Sequence, residues 1–470
     1  MKSFLRFPGL VFCTVCCFVN AGQFRGWRGD GTGHYADAQP PLKWGEEQNV
    51  AWKTRLPTWS NASPVVTGDR VFVCAEPDTL LCVDKRTGDI LWQHANSYVD
   101  IAPEGEKEAA RQKMEQARGI QKKIRRVRHE IRKVNKKIKQ TKKQAKKGDG
   151  ETEGASLEDL EAQKSELGKQ KRALENELKP VSDYALPNTH GANGYSSSTP
   201  VTDGENVYVL FGTGVVACYD VEGQRKWARV LEKPKHGWGH SASPLLAGGH
   251  LIVHILGLTA LDPDTGATVW QAGARSRWGS PVCARIGGRD VIVTANGDLV
   301  RADDGTVIAR KLSPLTYCAP VIHDSVAYFI QHGGRAVRLP ETADGKTEPE
   351  VLWKTTPKKE RYYASPIVRE GLIYCIMQKH VFSVIDAATG EVVHSRKLPL
   401  RGTAYPSITL AGDVLFVGSE SGKTLFLKPG RQAEQVAAVD FEKYRTTPVF
   451  QGKRMYLRTM RHLYCIERAE

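Results

Sequence analysis

The stretch "ASPLLAGGHLIVHILGLTALDPDTGATVW", residues 242–270, contains the rule from which most of this chain is built. A small residue and Pro244 open it. An apolar run then crosses a polar "AGGH" turn into a second apolar run. A third run meets "DPDTG" and turns into a segment ending at Trp270. Short apolar, β-branched runs parted by Gly- and Asp-bearing turns read as antiparallel strands. Asp opens such a turn with its side chain, and Gly supplies the positive φ that other residues resist.

The same grammar recurs along the chain. Pro64, Pro200, Pro244, Pro281, Pro320, Pro366, Pro406 and Pro448 each stand at the head of such a unit. After the first interval of 136 residues the spacings are 44, 37, 39, 46, 40 and 42. The third-strand turn repeats as "CVDKRTGDILW" (82–92), "CYDVEGQRKW" (218–227) and "VIDAATGEVVH" (384–394). Four short antiparallel strands at this spacing make one β-propeller blade. Eight units predict an all-β, eight-bladed β-propeller of four-stranded antiparallel blades. The last unit, ending "HLYCIERAE", has only three strands. "NVAWKTRLP" (49–57), which resembles "DILWQHAN" and "EVLWKTTP", is expected to add the fourth and close the ring without an open edge.

The long first interval marks an insertion, 104–180. Ile120, Ile124, Val127, Ile131, Val134 and Ile138 are spaced 4-3-4-3-4, a heptad seam. A second seam holds Leu157, Leu160, Leu167, Leu174 and Leu178, with Ser156 as helix cap. The insertion is expected to be an antiparallel α-helical coiled-coil hairpin. Its first helix is strongly basic: residues 118–147 carry fifteen Lys/Arg against Glu130. The chain's net charge is +15, so the body outside this helix is close to neutral. Lys122, Lys123, Arg125, Arg126, Arg128, Arg132, Lys133, Lys136 and Lys137 are the candidate contacts for an anionic surface or polymer. No aromatics interleave with them to stack bases, which argues against nucleic acid. The other reading is a solvated spacer with no partner of its own.

The opening "MKSFLRFPGLVFCTVCCFVNAGQ" has the charge, apolar run and small residues of a signal peptide cleaved after Ala21. The expectation is export to the periplasm or cell envelope, with no transmembrane segment in the mature chain. The parts are then a signal peptide (1–21), an N-terminal segment (22–48), the closing strand with blade 1 (49–103), the insertion (104–180) and blades 2–8 (181–470). Seven cysteines remain after cleavage, an odd number with no CxxC pair. Cys82, Cys218 and Cys465 share one repeat position with Ala260 and are expected to be small packing residues.

Loops leading into the blades carry aromatics and polar groups that should gather at one mouth of the ring. The candidate contacts are Trp59, Asn61, His190, Asn193, Tyr195, His236, Trp238, His240, Trp278, Tyr317, Tyr362 and Tyr444, with Tyr363, Arg277 and Arg445 nearby. Two readings stand: a ligand or peptide mouth, or aromatics that cap the tops of blades. His236 and His240 have no carboxylate partners in sequence, so no metal site is assigned.

The "LDPDTGATVW" pattern resembles the pyrroloquinoline-quinone (PQQ) repeat family, over about 49–103 and 181–469. Blades four, five, seven and eight depart from the pattern and lack its Trp. "FRGWRGDGTGHY" (24–35) followed by "VAWKTRLP" is similar to exported PQQ-like propellers of planctomycete type. The resemblance implies one of two classes. Quinoprotein dehydrogenases oxidise alcohols or sugars with PQQ and Ca2+, often under a vicinal disulfide. Non-enzymatic scaffolds resemble BamB of the outer-membrane assembly machinery and bind other envelope proteins. The one Cys-Cys pair, Cys16-Cys17, lies in the leader, and no Glu-Asn-Asp calcium set can be mapped. The expectation is therefore a scaffold with no cofactor and no catalytic residue. PQQ with Ca2+ belongs to the dehydrogenase alternative, and a polymer- or carbohydrate-binding surface protein is a third.

Overall fold

A computed structural model describes residues 26–145 and 156–468, so the expected signal peptide lies outside the described residues. Eight sheets of antiparallel strands follow one another along the chain. Blade 1 holds Val65–Thr67, Arg70–Ala75, Thr79–Asp84 and Ile90–Ala95. Blade 2 starts at Val201–Thr202, blade 3 at Leu245–Ala247, blade 4 at Val282–Ile286 and blade 5 at Val321–His323. Blades 6, 7 and 8 start at Ile367–Arg369, Thr409–Ala411 and Val449–Gln451. Val50–Arg55 pairs antiparallel with His462–Glu467 and completes blade 8. Closure through the early strand thus follows the expectation.

Five of the eight junctions between adjacent blades are joined by a Trp clasp. Each clasp Trp donates its indole N–H to a carbonyl in the next blade: Trp52 to Lys85, Trp92 to Val221, Trp227 to Pro263, Trp270 to Ala302 and Trp353 to Ala387. The indole lies flat on that blade's turn glycine. A Cβ on Gly88, Gly223, Gly266, Gly305 or Gly390 would stand only 2.5–2.7 Å from the ring. Here the sequence expectation needs correction, because Trp353 and Trp52 supply the clasp from blades 5 and 8. Trp353 escapes the motif because residues 339–349 lengthen the turn before its strand. Three of the cysteines are explained by the same clasp. Cys82, Cys218 and Cys465 sit directly across the strand pair from Trp92, Trp227 and Trp52, and Ala260 and Ala336 face Trp270 and Trp353. A small side chain there leaves room for the indole. Where the partner is His394 or Ala437, the facing residue grows to Val384 or Phe426.

A second device runs round the centre. In seven of the eight units a hydroxyl stands beside the repeat proline, and it accepts a hydrogen bond from the equivalent backbone N–H of the preceding blade. The links run Ser63→Thr199 (3.1 Å), Thr199→Ser243 (3.0 Å), Ser243→Ser280 (3.0 Å), Ala319→Ser365 (3.0 Å), Ser365→Ser407 (3.1 Å), Ser407→Thr447 (3.0 Å) and Thr447→Ser63 (3.0 Å). One link is missing, from Ser280 to position 319, because Ala319 has no hydroxyl. All eight residues are buried, so the links satisfy backbone donors that no strand ladder reaches.

The N-terminal segment, given no element by the sequence reading, crosses the centre of the ring. Gly26 lies against Pro200 and Val201 of blade 2. Arg28 is 1% exposed and donates to the carbonyls of Pro366 (2.9 Å) and Ile408 (2.8 Å), on the opposite side. Its own backbone has φ 55°, and Gly29, Gly31 and Gly33 follow with positive φ. His34–Tyr35 then adds a parallel fifth strand to the inner edge of blade 7. Tyr35 and Trp44 meet Phe450 and Phe426, filling the junction of blades 7 and 8, which has no Trp clasp.

The insertion is a long hairpin of two helices, α1 (Lys107–Ala145) and α2 (Leu157–Leu178). At ~1.5 Å per residue they run about 58 and 33 Å. Ser156 and Asp159 form a capping box at the start of α2. Ala117, Ile120 and Ile124 pack with Val181 and Leu178 near the root, and Val134, Ile138 and Leu160 pack further out. Arg128–Glu175 (3.2 Å) and Lys142–Glu161 (2.9 Å) cross between the helices and fix their antiparallel register. The root is fastened to blade 2, where Tyr98, Ala110 and Met114 pack on Val215. Lys233 also donates to three carbonyls, of Ser182, Asp183 and Ala185.

Candidate binding mouth of the ring

Two residues before each ring position, one side chain per blade points into a common cavity. From blade 1 to blade 8 these are Asn61, Ser197, Ser241, Trp278, Tyr317, Tyr363, Tyr405 and Arg445. The repeat thus delivers eight equivalent positions, and the sequence makes them unequal. Blades 4–7 give a half-circle of aromatics, and the other four blades give amide, hydroxyl and guanidinium groups. Successive rings touch, with centroids 5.5 Å (Trp278–Tyr317), 4.7 Å (Tyr317–Tyr363) and 5.0 Å (Tyr363–Tyr405) apart. The cavity has a volume of about 420 Å³. A narrower polar space below it, about 110 Å³, runs past the hydroxyl ring to Trp27.

The polar side is rigid. Asn61 donates to the carbonyls of Ala192 (2.9 Å) and Asn193 (3.2 Å) and to Ser197 Oγ (2.9 Å). Asn193 in turn donates to the carbonyls of Trp238 and His240, both at 2.9 Å. Arg445 is held by Glu420 (3.2 Å), donates to the Ala192 carbonyl (3.0 Å) and lies 5.4 Å from the Tyr405 ring centroid. Trp238 stacks on His190 at 3.8 Å yet remains 49% exposed, an aromatic face fixed in place and open to solvent.

Of the residues named from sequence, Asn61, Asn193, His236, Trp238, Trp278 and Tyr317 line the cavity. His190 supports Trp238 from the rim. The remainder serve the framework. Trp59 is half-buried with its carbonyl bonded to the Glu76 N–H. Tyr195 donates to the Pro187 carbonyl. Tyr362 is buried and donates to Lys358, while its neighbour Tyr363 faces the cavity. Tyr444 is fully buried against Thr424 Oγ1. His240 is buried beside the Ala242 carbonyl, and burial pulls its pKa down to about 4. Tyr405, Arg361, Ser197 and Ser241 were not named. Tyr405 was hidden by a one-residue shift, since Pro406 precedes Ser407 where the other prolines follow the ring residue.

The basic candidates stand along α1. Arg128 is half-buried against Glu175, and Lys123 and Lys133 pair with Glu177 and Glu130. Lys122, Arg125, Arg126, Arg132, Lys136 and Lys137 are exposed and form no ion pair among the described residues. Gln121 donates to the Leu186 carbonyl (2.7 Å), so α1 is tied to the segment that runs on into the mouth loop at 190–194.

The family model described as outer membrane protein assembly factor BamB matches residues 44–118 and 257–470. The chain belongs to the PQQ-like, BamB family of β-propellers. Solved structures agree in fold. BamB from Moraxella catarrhalis aligns with TM-score 0.53 and 11% identity over 89% of this chain and 99% of its own. A europium-containing methanol dehydrogenase aligns with TM-score 0.57 and 11% identity, over 92% and 89%. The quinohemoprotein alcohol dehydrogenase ADHIIG from Pseudomonas putida HK5 gives 0.54 and 10%, over 95% and 80%. No curated protein matches. This PQQ-like propeller therefore shares its fold with both an assembly factor and dehydrogenases, and its own mouth has to distinguish them. Calcium takes ~6–8 oxygen ligands, carboxylates prominent among them. Among the described residues no Asp or Glu lines the mouth, and no three His, Cys, Asp or Glu gather into a metal site. Glu420 stands behind Arg445, committed to it and to the Thr403 N–H. The donor set does not fit a calcium-bound quinone. Among the described residues no helix is long and apolar enough to cross a membrane.

Proposed function

We propose that this chain is a non-catalytic, exported propeller of the cell envelope that binds through the mouth of its ring, with the helical hairpin as a second contact. The observation that carries this reading is the lining of the mouth. Eight equivalent positions present aromatic, amide, hydroxyl and guanidinium groups, and none presents a carboxylate. Such a surface suits recognition; it offers none of the carboxylates on which calcium coordination chiefly relies. The fold it shares with BamB supports a scaffold that binds envelope proteins or envelope polymers. The unpaired lysines and arginines of α1 support attraction to an anionic surface, at a strength that falls with salt.

The experiment is a thermal-shift titration of the purified mature protein with PQQ and Ca2+. A ligand bound only to the folded state must raise the melting temperature. No shift at a large excess of PQQ is the expected result. A saturable shift that requires Ca2+ overturns the scaffold reading in favour of a dehydrogenase.

A further inference from the structure

We infer that the mouth is a saccharide-binding site selective for acidic glycans, and that α1 extends the same site along a polymer chain. This rests on the non-catalytic reading of the mouth and names its ligand class.

The lining decides between a glycan and a peptide. Trp, Tyr and Arg also serve peptide interfaces, but there a more apolar buried core accompanies them. Among the described residues, Ala192 is the only aliphatic one that lines this cavity. Its aromatics are Trp and Tyr, each with a polar edge, and no Phe, Leu, Ile, Val or Met joins them. A sugar ring has the complementary character: C–H faces that pack on aromatic planes, and hydroxyl edges that need donors and acceptors. Trp238 is built for that contact, with one face held on His190 and the other open. The linked rings of Trp278, Tyr317, Tyr363 and Tyr405 supply further planes.

The charge of the ligand follows from what the mouth leaves unpaired. Arg445 is already balanced by Glu420. Arg361 is exposed, and among the described residues its guanidinium hydrogen-bonds only Tyr363 Oη, at 3.4 Å. It is a free cation at the rim of a cavity without carboxylates. A carboxylate or sulfate on the sugar would complete it with a charge-assisted hydrogen bond. Across the ring from Arg361, Arg118, Lys122, Arg125 and Arg126 offer further cations, because α1 is fastened at Gln121 to the segment entering the mouth loop.

Calorimetric titration of the full mature protein tests this with tetragalacturonate, maltotetraose, an acidic hexapeptide, and PQQ with Ca2+. The expected result is saturable binding of tetragalacturonate, with the neutral sugar at least tenfold weaker. Arg361→Gln should weaken the acidic sugar roughly tenfold and leave the neutral one unchanged, as loss of one charged hydrogen bond implies. Trp238→Ala should weaken both. Both side chains are exposed, so the ring folds in either variant. Polygalacturonate should bind more tightly than the tetramer, and that gain should vanish when Lys122, Arg125 and Arg126 become Gln. Equal binding of both sugars, with Arg361→Gln silent, overturns the acidic selectivity. Binding of the peptide but of neither sugar overturns the glycan assignment and leaves the scaffold reading standing. Binding of PQQ with Ca2+ removes the reading on which the inference rests.

Discussion

Ala319→Ser should complete the hydroxyl ring. At the seven existing links a buried hydroxyl accepts the N–H of the preceding blade at 3.0–3.1 Å. Ser280 and Ala319 are 6% and 1% exposed, so the new bond would be largely shielded from bulk solvent. A neutral hydrogen bond contributes about 0.5–1.5 kcal/mol net, whereas stranding a buried donor costs about 1–3 kcal/mol. Ala319→Ser should therefore stabilise by about 1 kcal/mol. The converse change, Ser407→Ala, frees the Ser365 N–H and should cost about 1–3 kcal/mol. Urea unfolding measures the totals, and hydrogen exchange by mass spectrometry locates them. A gain of about 1 kcal/mol slows exchange of the Ser280 amide roughly fivefold if that amide exchanges through local opening. The reasoning is refuted if Ser280 exchange is unchanged in Ala319→Ser while Ser365 exchange is unchanged in Ser407→Ala. The interface of blades 4 and 5 makes the sharper case, because it also lacks a Trp clasp.

Trp353→Ala should cost about 3–5 kcal/mol by urea unfolding, the usual range for emptying a buried aromatic site, since the indole is 9% exposed against Gly390. Gly390→Ala should fail at the same clasp, because φ is 77° and the new methyl would collide with the indole; a loss of at least 1 kcal/mol is expected. Stability should fall as pH drops from about 6.5 to 4. Burial pulls His240 and His254 down to about 4, so in that window the unfolded chain binds more protons than the folded one. Asp78, pushed up to about 6 by burial and by Asp100, works in the opposite sense. Melting temperature against pH checks the net slope, and His240→Asn should flatten it.

The blade count was legible because proline at the strand head and glycine in the acidic turn answer to local backbone geometry. Features set by neighbouring blades were harder to read. Trp353 performs the same task as Trp270, but its longer preceding turn removes it from the motif. The cysteines could be aligned with one another, yet their reason, an indole across the strand pair, appears only with the register. Residues 26–35 have no apolar period, because they form neither helix nor half-buried strand. They cross the ring through positive-φ turns and are held by contacts hundreds of residues distant. At the mouth, aromatic content alone could not separate Tyr363, which faces the cavity, from Tyr362, which is buried beside it.

The pairing of Val50–Arg55 with His462–Glu467 joins segments about four hundred residues apart. Every other blade draws its four main strands from one local stretch of chain. Folding should then run in two regimes. Individual blades can form early from near-neighbour contacts, but the circle closes only after the slow search that such a distant encounter requires. Once closed, the clasp opposes escape by the same route, since opening blade 8 also strips Trp52 from Lys85 and Gly88. The ring should be slow to form and slow to lose, with a lifetime in the folded state set by one pair of strands.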